Sequence, residues 1–149
     1  MRVLIDTNII LDFLMQRTGA DAARDVFRLA EERKQFEFVS STAITDIFYL
    51  VNKSLLMRGD GSEKRYSKKE ASFEAQEYVN LLLDFIRVLP TTEQDIRFAL
   101  SLRWEDFEDA VQYSVAVSNM LDYIVTNDKK GFKKSKIPVM TPTEFLHSM

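Results

Sequence analysis

Short apolar runs alternate along this chain with longer stretches of helical periodicity. Arg2–Ile5 reads as a short buried strand, too apolar to alternate, and Phe36–Ser40, Phe85–Leu89 and Tyr123–Val125 read as three more. Asn8–Met15 predicts a first helix and Asp21–Lys34 a second. In the second, Ala23, Val26, Phe27 and Ala30 recur at helical spacing opposite Arg24, Arg28, Glu31 and Glu32. Ser41 or Thr42 is expected to cap a long helix reaching about Met57, because a hydroxyl there can accept from the free amides of the first turn. Arg58-Gly59-Asp60-Gly61-Ser62 breaks that helix and makes Gly59–Ser67 the expected mobile loop.

Ser67–Asp84 resumes as helix, with Ser67 and Glu70 forming a capping box and Ala71, Ala75, Tyr78, Val79 and Leu82 an apolar stripe. Thr92–Leu102 and Phe107–Asn119 are further helices, and Thr143–His147 is a closing helical turn. Ile137–Met140 supplies a fifth strand; Pro138 cannot donate to a ladder, so this strand belongs at a sheet edge. Strands alternating with helices predict an α/β fold with a parallel sheet covered on both faces, built as a single domain over residues 1–149.

Composition narrows the chemistry. Cysteine is absent, and the only histidine, His147, lies two residues from the end, which removes thiolate or His-rich zinc sites and Ser-His-Asp triads. No apolar run is long enough for a signal peptide or a bilayer span, and the expected setting is cytoplasmic. The net charge of −3 gives no whole-protein attraction to nucleic acid, but the basic residues cluster. Lys53, Arg58, Lys64, Arg65, Lys68 and Lys69 form one run, and Lys129, Lys130, Lys133, Lys134 and Lys136 form another. A solvated face is the plain reading of the first. The second follows a candidate active-site acid, so Lys129, Lys130, Lys133 and Lys134 are read as contacting phosphates of a nucleic acid.

That acid is one of four. Asp6 ends the first strand, Asp46 lies in the first turns of the helix leaving the second, and Asp128 follows the fourth by three residues. Asp109 opens a helix that runs antiparallel to the strand after it, so its first turn, with Asp106, faces the same sheet edge. Carboxylates gathered there repel one another unless a divalent cation sits between them. Oxygen-only ligation suits Mg²⁺ or Mn²⁺, which recruit substrate phosphate and activate water for phosphodiester cleavage. Asp6, Asp46, Asp109 and Asp128 are therefore the expected ligands, with Thr7, Asn8, Asp106, Thr126 and Asn127 orienting carboxylates or phosphate around them. Glu108 is expected to point away from the Asp109 face, and Asp12, Asp60, Asp84, Asp95 and Asp122 to be solvated or capping. Phe48, Tyr49, Phe107 and Tyr113 read as core, while Trp104, between Arg103 and Glu105, is free to stack a base or close an interface.

These residues resemble the PIN domain, the small metal-dependent nuclease fold related to flap nucleases. The likeness runs from Val3-Leu4-Ile5-Asp6-Thr7-Asn8 through Asp106-Phe107-Glu108-Asp109-Ala110 and Tyr123-Ile124-Val125-Thr126-Asn127-Asp128 to the Val139–Leu146 stretch. It implies a three-layer α/β/α sandwich around a parallel five-stranded sheet, with the family's acid quartet at Asp6, Asp46, Asp109 and Asp128. Two positions depart from the pattern: Asp46 stands where glutamate is common, and Gly131 precedes Phe132 where a further Asp is frequent. Similarity to PIN toxins of the VapC type implies an endoribonuclease acting on structured or messenger RNA, a small antitoxin partner and often a homodimer, and an unpaired PIN ribonuclease is equally compatible with the same residues. A PIN-like module that binds RNA or protein without cutting is the rival. A phosphatase or nucleotide hydrolase is a third reading, and no glycine-rich phosphate loop supports it.

Overall fold

A computed structural model describes residues 1–33 and 36–149. The elements run β1 (Arg2–Ile5), α1 (Thr7–Leu14), α2 (Ala20–Arg33), β2 (Phe36–Ser40), α3 (Ser41–Arg58), α4 (Lys68–Leu82), β3 (Arg87–Leu89), α5 (Glu93–Leu102), α6 (Phe107–Ser118), β4 (Tyr123–Val125), β5 (Val139–Met140) and α7 (Pro142–Ser148). The expected end of the second helix, Lys34, lies outside the described residues.

All strand pairings are parallel, and the sheet order is β3-β2-β1-β4-β5. Pro138 stands just before β5 at the edge, where its carbonyl accepts from the Ile124 amide at 3.0 Å. The chain lays β2 and β3 on one side of β1, then crosses to place β4 on the other. That reversal opens a crevice at the carboxyl ends of β1 and β4, the position where open α/β sheets bind ligands.

Strand alternation sorts the core into two faces. Val3, Ile5, Val39 and Val125 pack with α1, α2, α3, α4 and α7, while Leu4, Phe38 and Ile124 pack with Tyr113 and Ala116 of α6 and with Phe132. The result is a three-layer α/β/α sandwich. Expected and observed elements agree closely, with local differences that have physical causes. The third helix is capped by Ser40, whose side chain accepts from the Ala43 amide, one residue earlier than expected. The helix ends at Gly59, where φ is +68° and a Cβ would crowd the Lys64 carbonyl at 2.9 Å. Within the expected mobile loop, Asp60 accepts from Ser62 and Tyr66. Phe85 and Ile86 belong to the turn after α4, held by i→i+3 and i→i+4 bonds to Leu82, so β3 begins only at Arg87. Tyr49 and Phe107 are exposed rather than core, whereas Phe48 and Tyr113 pack inside.

One buried group is out of place in this scheme. Glu37, paired in register with Val3 at the amino half of β2, is 3 % exposed, and neither carboxyl oxygen has a partner among the described residues. Burial alone lifts its carboxyl to about 8.

Candidate active site

Asp6 occupies the N-cap position of α1 but does not cap it. Its carboxylate instead turns into the crevice between β1 and β4, where Thr126 Oγ1 donates to Oδ2 at 2.7 Å and Gln112 Nε2 donates to Oδ1 at 3.2 Å. The side chain is nearly buried, and that burial pushes its carboxyl up against the opposing effect of the two donors. Thr126 serves two acids, since its Oγ1 also accepts from the Asp128 amide at 2.9 Å. The same hydroxyl thus joins the end of β1 to the turn after β4.

Asp128 starts that turn. Its Oδ1 accepts from the Gly131 amide at 3.2 Å, which folds the chain back tightly. A Cβ built on Gly131 would overlap the Asp109 carboxylate and lie 3.3 Å from Asp128 Oδ2. The missing side chain is the space in which these two acids approach. Asp109 is half-buried in the first turn of α6, and its carboxyl is raised to about 7 by burial first, then by Asp6, Asp106, Glu108 and Asp128. Asp106 caps the helix, its Oδ1 accepting from the Asp109 amide at 3.1 Å.

Asp46 approaches from α3 and is half-buried. Its electrostatic neighbour is Glu108, whose carboxyl is raised by burial and then by Asp46. Glu108 therefore faces the crevice, contrary to the sequence expectation. Thr7 Oγ1 donates to Glu108 Oε1 at 3.1 Å, tying the start of α1 to the start of α6. The acids form two linked groups: Asp6, Asp109 and Asp128 beside β1 and β4, and Asp46 with Glu108 toward α3. No Lys or Arg forms an ion pair with any of the five among the described residues. Hard oxygen donors crowded without a counter-charge fit a divalent cation. No three acids among the described residues stand as a closed chelating set. Mg²⁺ and Mn²⁺ do not require one, because Mg²⁺ sites of this kind take one or two carboxylates and keep several waters.

A model of the PIN domain matches residues 2–130. The chain belongs to the PIN domain family. The matched stretch contains all four expected acids and ends before the Val139–Leu146 stretch. This PIN domain is 27 % identical over 150 residues to ribonuclease VapC1 of Aquifex aeolicus, across 97 % of this chain and 92 % of that protein. Its fold matches the crystal structure of DNA-bound VapBC from Salmonella typhimurium with a TM-score of 0.69 at 19 % identity, covering 95 % of this chain and 98 % of that one. It also matches VapBC2 from Rickettsia felis, bound to a promoter DNA fragment, with a TM-score of 0.68 at 18 % identity and the same coverage.

The remaining expected positions divide. Thr7 and Thr126 bond to crevice acids, and Asp106 spends its carboxylate on the α6 cap. Asn8 is exposed, with no side-chain hydrogen bond among the described residues. Asn127 turns away and donates to Asp12 Oδ2 at 2.9 Å. Asp12 is buried rather than solvated, and it also accepts from Arg17 at 2.9 Å, so it clamps α1 to the β4 turn. Asp95 completes the α5 capping box with Thr92, as an acid of that class should. Lys129 is engaged by Glu144 of α7 at 2.9 Å, whereas Lys130, Lys133 and Lys134 line a cavity shared with Asp109 and Asp128. Gln112 is a site residue that the sequence pattern does not single out as an acid would. A signal exists nonetheless: it is the one amide in the apolar run Ala110-Val111-Gln112-Tyr113, one helical turn beyond both Glu108 and Asp109.

Proposed function

We propose that this PIN domain is a Mg²⁺- or Mn²⁺-dependent endoribonuclease that hydrolyses RNA phosphodiester bonds, working as the toxin of a toxin–antitoxin pair. The observation that carries the catalytic reading is the crevice at the β1–β4 reversal, lined by the Asp6, Asp109 and Asp128 group and by the Asp46 and Glu108 pair, with no paired cation among the described residues. The likeness to ribonuclease VapC1 and to the toxin–antitoxin complexes supports the substrate and the small antitoxin partner. Homodimer formation and a cytoplasmic setting belong to the same reading; no helix among the described residues is long and apolar enough to cross a membrane.

Asp6, Asp109 and Asp128 would hold the cation directly, with Asp46 and Glu108 reaching it directly or through water. When bound, the ion supplies Lewis acidity toward the scissile phosphate and makes water a stronger nucleophile. Thr126 and Gln112 fix the Asp6 carboxylate in one orientation, so little rearrangement is needed when substrate arrives. Thr7 holds Glu108 Oε1, which leaves Oε2 able to accept a proton at the crevice.

The test is incubation of wild-type and Asp6→Asn protein with mixed cellular and transfer RNA, in Mg²⁺, Mn²⁺ or EDTA. Discrete fragments that require both metal and Asp6 are expected. A second reading, a PIN module that binds RNA without cutting, draws on the absence of a closed acid set among the described residues. Retention of RNA with no fragments in any metal would establish that reading instead.

A further inference from the structure

A cavity of about 460 Å³ opens beside Asp109 and Asp128, within the roughly 300–1,000 Å³ range of small-ligand sites. Arg103, Lys130, Lys133 and Lys134 line it with Trp104, alongside the acids Glu105 and Asp106. None of the four cations is in an ion pair among the described residues, so no single carboxylate of the cavity holds any of them. Trp104 is the chain's single tryptophan, and the fold sets it with care. Arg103 takes a left-handed φ of +56° at the end of α5, which turns the chain so that Trp104 stacks on Tyr113 with centroids 4.8 Å apart and planes 23° apart. Phe132 meets the same ring edge-on at 6.1 Å.

These aromatic pairs tie the two walls together. Phe132 belongs to the lysine turn, whose successive bonds Gly131 N to Asp128 O and Phe132 N to Lys129 O send the ring inward and leave Lys130, Lys133 and Lys134 exposed. Tyr113 Oη accepts from the Lys136 amide at 3.3 Å, closing the far end of that turn on the aromatic platform. Trp104 nevertheless stays only partly buried. The indole packs on Tyr113 and Phe132 and still presents part of its surface to the cavity that the four cations line.

We propose that this cavity is the subsite for an unpaired RNA nucleotide next to the scissile phosphate. Its base packs on Trp104, and its flanking phosphates meet Lys130, Lys133, Lys134 and Arg103. A base in a duplex is already stacked on both sides and cannot enter, so the subsite selects single-stranded segments. This rests on the nuclease reading for the position of the scissile phosphate, but binding at the subsite is measurable without cleavage.

The experiment titrates the whole protein, with Ca²⁺ replacing Mg²⁺, with labelled oligoadenylate and with the same strand paired to its complement. Trp104 emission and RNA anisotropy are read together. Oligoadenylate is expected to change the emission saturably and the duplex to leave it nearly unchanged. Trp104→Ala should weaken binding about tenfold, while Trp104→Phe, which keeps an aromatic platform, should restore most of it. Circular dichroism of both variants separates loss of binding from loss of fold. RNA that binds by anisotropy with unchanged emission, or equal binding by a folded Trp104→Ala, overturns the subsite. Cleavage is scored separately in Mg²⁺. Wild-type cleavage with a KM indifferent to Trp104→Ala rejects the subsite and keeps the nuclease. Trp104-dependent binding with no cleavage does the reverse.

Discussion

The space that a side chain at Gly131 would fill is held by the carboxylate of Asp109. At this turn the absent group is what lets acids from α6 and from the β4 turn face one point. Gly131→Ala must push the Asp109 carboxylate aside, away from Asp128 and toward the cavity that it lines. The turn's backbone has no positive φ at this residue, so the substitution is tolerated by the main chain. Cleavage is expected to fall at least tenfold with a thermal midpoint within a few degrees of wild type; normal turnover by Gly131→Ala would show that Asp109 need not occupy that place.

Asp6 stands in tension with the fold that holds it. Burial disfavours its charge, and the direct compensation comes from the side chains of Thr126 and Gln112. Asp6→Asn keeps the shape and removes the charge. In metal-free buffer this variant should unfold at a higher temperature than wild type, by about 1 kcal/mol or more, while losing cleavage entirely. Differential scanning calorimetry in EDTA checks the first part. A destabilised Asp6→Asn would mean that the two hydrogen bonds outweigh the desolvation of the charge.

The reach of the sequence can be traced residue by residue. Asp6 and Asp128 are legible because apolar strands end beside them, and strand ends in a parallel sheet share one edge. Asp109 follows from the direction its helix must run. Glu108 escapes that logic, because about 100° separates adjacent residues on a helix and a narrow crevice would admit only one of the two. In the structure α6 lies across the crevice, so Asp109 faces Asp128 and Glu108 faces Asp46 and Thr7. The Asn127–Asp12 bond spans residues 115 apart in sequence and carries no local signature. Pairing of Trp104 with the lysine turn is likewise a product of tertiary packing, through Tyr113 and Phe132.

Glu37 gives the protein an unusual pH response. Its folded carboxyl titrates at about 8, above the ordinary glutamate range that it recovers on unfolding. Between those values the folded state holds a proton that the unfolded state has released. The contribution is thus fully present below the ordinary range and is lost as pH rises through about 8, at up to ~1.4 kcal/mol per pH unit. Glu37→Gln should flatten that slope and raise the thermal midpoint at neutral pH. Melts across pH 5 to about 9 test it, and an unchanged slope in Glu37→Gln would assign the pH dependence elsewhere.

Among the lysines after Asp128, charge alone does not decide which meet RNA. Lys129 is already paired with Glu144, whose carboxyl is held down by the Thr141 amide and then by that ammonium, and the pair joins the turn to α7. Lys130, Lys133 and Lys134 have no such partner among the described residues and face the cavity beside Asp109 and Asp128. Replacing these three by alanine should weaken RNA binding strongly and reduce the log–log salt slope by about 0.7 for each single-strand phosphate that the missing ammonium groups would have neutralised. Lys129→Ala should leave the slope nearly intact, because the ammonium it removes is already neutralised within the protein. Anisotropy titrations across a salt series distinguish the two variants. Equal reductions of slope would mean that Lys129 leaves Glu144 when RNA arrives, and that the turn is remade on binding.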